Sequence, residues 1–141
     1  KKVDITEHFT LTATVKVNKI FANDQVSFGL MVRDDCYIDK NMPDILGDYV
    51  AAAPLFITRG EKATATFARR SGQLVLGKDT NELMLSSSSD GYAAKFGKGD
   101  VITGGYDFKL TAIDPAHVYV GMFVSRNADV IFSNIKYTKN E

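Results

Sequence analysis

Two apolar runs, far apart in the chain, share one design. The first is Phe28-Gly29-Leu30-Met31-Val32-Arg33-Asp34-Asp35, and the second is Val120-Gly121-Met122-Phe123-Val124-Ser125-Arg126-Asn127. Each is uninterrupted, carries glycine in second place and ends in arginine. Runs of this length, rich in valine and aromatics, suit strands covered on both faces. Two of them fit the middle of a sandwich. Gly29 and Gly121 remove side-chain bulk where another backbone or a ligand comes close, and Arg33 and Arg126 emerge at strand ends. Neighbouring strands of this kind are expected to bring both guanidinium groups to one rim.

The remaining segments agree with an all-β chain. Residues 9–17 alternate strictly, with Phe9, Leu11, Ala13, Val15 and Val17 on one face and Thr or Lys on the other, as in a half-buried antiparallel strand. Residues 130–138 have similar length and alternation, so these first and last strands are expected to pair. Residues 49–57 read as a strand because Pro54 and the β-branched flanks outweigh the alanines. Residues 63–70 and 74–76 read as a hairpin turning at residues 71–73, and residues 106–112 as another strand. Between them, residues 82–85 make a short strand and residues 86–91 a serine-rich turn. No segment reads as a long amphipathic helix. The sum is one antiparallel β-sandwich of jelly-roll type over residues 1–141, a length that supports a single core.

Charge narrows the partners. The 17 basic and 17 acidic residues cancel, so no overall field draws the molecule to nucleic acid or to an anionic membrane. A charged ligand has to be met locally. One cysteine, Cys36, excludes an internal disulfide and any thiol metal cluster.

The local candidates follow from side-chain chemistry. Arg33 and Arg126 offer planar donor forks suited to a carboxylate or to paired hydroxyls, or else each pairs with a nearby acid such as Asp34 or Asp129. Asp34, Asp35, Asp39 and Asp44 crowd one loop; of these Asp35, Asp39 and Asp44 are candidate calcium ligands, the alternatives being a solvated loop or direct hydrogen bonds to sugar hydroxyls. Trp is absent, so stacking falls to tyrosine: Tyr37, Tyr49 and Tyr92 are the candidates, whereas Tyr119 sits inside a central strand and reads as core. Asn127, beside Arg126, completes the set. Lys78, Lys95 and Lys98 suit an acidic polymer or an ordinary surface. His8 and His117 lie at opposite ends of the chain, and no serine or cysteine has a nucleophile context, which argues against catalysis.

Residues 28–35, 107–114 and 119–135 together resemble the concanavalin-like β-sandwich modules appended to secreted bacterial polysaccharide-degrading enzymes, above all those at the tails of pectate lyases and, more loosely, the levanase-type module. The resemblance covers both ends of the chain and leaves residues 77–105 unmatched. It implies a secreted, non-catalytic, monomeric module that holds a covalently linked catalytic domain on a polysaccharide, with pectic or other uronate-rich chains as first choice. It also favours a structural calcium ion. Two rival readings stand beside it: a structural or protein-interaction sandwich marked by an exposed apolar patch, and a small hydrolase or lyase using Asp34 or Asp35.

Overall fold

The computed structural model of the protein describes residues 1–20, 26–33, 49–53, 69–71, 80–99, 101–104, 114–126 and 128–141. They contain ten strands: β1 (Lys2–Asp4), β2 (Phe9–Ile20), β3 (Ser27–Arg33), β4 (Tyr49–Ala52), β5 (Arg69–Ser71), β6 (Thr80–Ser88), β7 (Gly91–Phe96), β8 (Ile102–Gly104), β9 (His117–Ser125) and β10 (Ala128–Lys139). The first sheet runs β1-β9-β3-β4-β5 and the second β10-β2-β6-β7-β8. Neighbours are antiparallel except β4 and β5, which run parallel. None of the described residues is helical. The all-β sandwich expected from the alternation is the observed architecture.

Alternation sets the layers. Phe9, Leu11, Ala13 and Val15 of β2 are buried, while the threonines between them are half-exposed. They meet Leu83, Leu85, Ala94 and Phe96 from the same sheet and Phe28, Leu30, Val32, Val118 and Val120 from the other. Phe28 and Phe96 join the two layers edge to face, with ring centroids 5.9 Å apart, a geometry that adds about 1 kcal/mol to simple area burial. The first and last long strands pair as expected, from Phe9 opposite Lys139 to Ile20 opposite Ala128.

The twin strands are neighbours too, but they are antiparallel: Ser27 faces Ser125 and Arg33 faces Tyr119. Arg33 therefore leaves one end of the ladder and Arg126 the other. The span from Ser27 to Arg33 puts their backbones roughly 20 Å apart at the rise of an extended strand. The common arginine rim is thus corrected: a twin sequence reversed in direction delivers its tip to the opposite edge.

The glycines part company as well. A Cβ built on Gly29, whose φ is +151°, falls 2.0 Å from the carbonyl oxygen of Ala52. Here the neighbouring backbone fills the space that glycine leaves. A Cβ on Gly121 meets nothing within 4 Å.

Three further differences concern the quieter segments. Ser86, Ser87 and Ser88, expected in a turn, extend β6, and the reversal narrows to residues 89 and 90. Ser87 is buried and keeps its hydroxyl paired, accepting from the Phe9 amide at 3.2 Å and donating to the Glu7 carbonyl at 3.4 Å. Tertiary contacts here override a weak strand propensity. Ser71, expected in a turn, is the last residue of β5; the rest of the expected hairpin over residues 63–76 lies outside the described residues, apart from Arg69 and Arg70 in the same strand. Residues 106–112 lie outside them as well. Finally, β1 adds a short edge strand that the sequence did not signal.

Candidate functional site

Of the ligand and metal candidates read from the sequence, Arg33, Tyr49, Tyr92 and Arg126 are described, as are Lys95 and Lys98, while Lys78 lies outside the described residues. Asp34, Asp35, Tyr37, Asp39, Asp44 and Asn127 lie outside the described residues, so both the acidic loop and the calcium proposal fall there. Among the described residues no three His, Cys, Asp or Glu side chains converge as metal ligands.

Tyr92 is corrected from a stacking surface to core. It stands in β7 between Ser87 of β6 and Gly104 of β8, and only 4% of it is exposed. Its position in the alternation, one residue past the turn glycine, turns the ring inward. Arg33 and Tyr49 are brought together. They are direct cross-strand partners, and Tyr119 pairs with Arg33 from the other side. The resulting row, Tyr49-Arg33-Tyr119, crosses three strands on the outer face of the first sheet. All three side chains are half-buried, and Arg33 Nε is fully enclosed with no hydrogen-bond partner among the described residues. Tyr119, read as core, shares this outer face.

A concave feature of the described surface lies on the other sheet. Its polar outer face carries a groove of about 480 Å³, walled by Thr12, Thr14, Glu82, Met84, Lys95 and Asn134. The register builds it. Lys136, Thr12, Met84 and Lys95 are successive cross-strand partners over β10, β2, β6 and β7, and Ser133, Thr14 and Glu82 form the adjacent row. Four strands at the usual spacing make the first row about 14 Å wide.

Two backbone devices shape its ends. On β10 the register shifts between Ser133 and Lys136, and Asn134 takes the left-handed conformation with φ +50°. An extra residue there bends the strand and re-aims a side chain. The Asn134 amide consequently donates to Thr14 Oγ1 at 3.4 Å. At the opposite end Gly97, with φ +56°, turns the chain out of β7 and donates its amide to the Glu82 carbonyl at 2.7 Å.

Within a neutral chain this face is locally basic. Among the described residues the two rows carry Lys95 and Lys136 against one acid, Glu82, and Lys16 stands on the next rung. Hydroxyls, an amide, a carboxylate and ammonium groups around a methionine floor can hydrogen-bond polyols and attract carboxylates. Threonine alternation on β2 was legible as a polar face. The contributions of Glu82, Met84 and Asn134 depended on the register of β6 and on the bulge, which no local pattern announces.

A second polar assembly ties the sheets together at the edge. Tyr137 donates to Glu7 Oε1 at 2.6 Å, Lys139 Nζ lies 3.1 Å from Oε2, and Lys1 Nζ sits 3.8 Å above the Tyr137 ring. The Tyr137 hydrogen bond, seconded by Lys139, holds the Glu7 carboxyl below its ordinary range, while burial and then the Glu7 contact push the phenol up. Each group is kept in its resting protonation state. No protein-family model, curated protein or solved structure matches the chain.

Proposed function

We propose that this sandwich is a non-catalytic carbohydrate-binding module of a secreted polysaccharide-degrading enzyme, with a pectic or other uronate-rich chain laid across the outer face of the second sheet. The groove carries this reading. Its rows offer closely spaced hydroxyl, amide and carboxylate groups to sugar hydroxyls, and its lysines supply the local positive charge that an acidic polymer seeks. The resemblance to modules of polysaccharide-degrading enzymes supports the same reading, whereas the shared arginine rim no longer does.

Binding at such an open, shallow face is weak per site, and tethering to a catalytic domain raises its effect by local concentration. Affinity electrophoresis against polygalacturonate, levan, xanthan and β-glucan tests the proposal. Retardation by polygalacturonate, reduced by Lys95→Ala and by raised salt, is the expected result. Unretarded migration in all four polymers overturns it.

A further inference from the structure

Two groups of lysines contrast. At the Tyr137 edge Lys1 and Lys139 meet Glu7, and Lys2 meets Asp114. On the outer face of the second sheet Lys95 and Lys136 have no ionic partner among the described residues, and neither has Glu82, which stands exposed on the same face. Three charges therefore line the groove face without neutralising one another.

The register fixes where they sit. Lys136, Thr12, Met84 and Lys95 make one row across β10, β2, β6 and β7, so its two cations stand at the ends, about 14 Å apart at the usual strand spacing. Met84 is half-buried between them. Glu82 precedes Met84 by two residues on the same face of β6, about 7 Å along the strand. The acid flanks the interior of the row, beside the methionine.

This order of charges grades an acidic polymer laid along the row. A pyranose ring with its linking oxygen is about as long as one strand-to-strand step, so successive sugars fall on successive strands. Carboxylates on the two outer sugars meet Lys136 and Lys95. A carboxylate on the sugar over Met84 meets Glu82, like charge beside like. A neutral sugar in that place rests its C–H face on the methionine and donates its hydroxyls to the Glu82 carboxylate.

We infer, resting on the sugar-binding reading, that this face selects uronate chains whose acidic residues are separated by neutral or esterified ones. Lys95 and Lys136 hold the separated carboxylates, and Glu82 rejects a continuous acidic run. Specificity of this kind needs a repulsive element as well as attractive ones, and Glu82 supplies it. The charges are exposed enough for solvent to screen them, so the preference is roughly two- to fivefold.

Affinity electrophoresis with three galacturonans tests it: one free of esters, and two of equal overall charge, methyl-esterified either at random or in blocks. The parent is expected to be retarded most by the randomly esterified polymer. Glu82→Gln removes that margin by strengthening retention on the ester-free and blockwise polymers, whereas Lys95→Ala and Lys136→Ala weaken retention on the random one. All three variants are expected to keep the melting temperature of the parent. Retention that follows total charge whatever the ester pattern, or a margin that survives Glu82→Gln, overturns the inference and leaves the sugar-binding reading standing. Unretarded migration in all three polymers overturns both.

Discussion

Tyr137 of β10 and Glu7, which follows β1, share a hydrogen bond of 2.6 Å that links the two sheets at their common edge. The bond does more than its length implies, because the Tyr137 ring also stacks on Phe9 at 5.6 Å and carries the Lys1 ammonium on its face. A single side chain thereby joins β1, β2 and β10.

Acid should loosen this edge first. Glu7, Asp4 and Asp114 all have carboxyls held below their ordinary values of 4.5, 3.8 and 3.8, by Tyr137, by the Thr6 hydroxyl and by the Ala116 amide respectively. A carboxyl whose folded value is depressed stabilises the fold above its unfolded value, and that contribution is lost as pH falls through the folded value. The melting temperature should accordingly be level from neutrality to about pH 5 and drop below about pH 4. Glu7→Gln should flatten part of that drop; an unaltered acid limb would mean that Glu7 does not contribute.

The twin glycines give opposite mutants. Gly29→Ala drives a methyl into the Ala52 carbonyl at a φ that side chains rarely adopt, at a cost of about 2 kcal/mol or more. Gly121→Ala enters open space and should change stability by less than about 0.5 kcal/mol. Chemical denaturation of both variants compares them, and equal losses would contradict the asymmetry.

This pair also marks how far the sequence could be read. Period-two alternation identified β2 and β10 and their pairing, since it depends only on which face is buried. The relative direction of β3 and β9 had no such signature, because an uninterrupted apolar run looks alike from either end. From sequence alone Arg33 and Arg126 therefore read as one rim, although their strands oppose. Tyr92 failed for a related reason: one step of register decides whether its ring faces solvent or core.

Since the two arginines are remote, their effects should be independent. Arg33→Ala and Arg126→Ala, measured singly and together by denaturation, should add to within about 0.5 kcal/mol. Coupling beyond that would imply a contact that the antiparallel register forbids.

Ser87 offers a test of the extended β6. Removing its hydroxyl strands the Phe9 amide and the Glu7 carbonyl inside the edge, and Ser87→Ala should cost about 1–3 kcal/mol. Ser88→Ala, at an exposed position beside the turn, should cost clearly less. Equal costs would return the serine run to the status of an ordinary loop.

Asn134 joins backbone conformation to the proposed ligand. Its positive φ is tolerated by asparagine and by glycine, but a β-branched residue is strained there. Asn134→Gly should keep the bulge and the fold while removing the amide that reaches Thr14, so polysaccharide retention falls and the melting temperature holds. Asn134→Val should lose about 1–3 kcal/mol of stability and flatten the groove wall together. Stability by denaturation and retention by affinity electrophoresis separate the two effects. If Asn134→Gly binds as well as the parent, the amide is not part of the recognition surface. If Asn134→Val is as stable as the parent, the bulge does not depend on this residue's conformation.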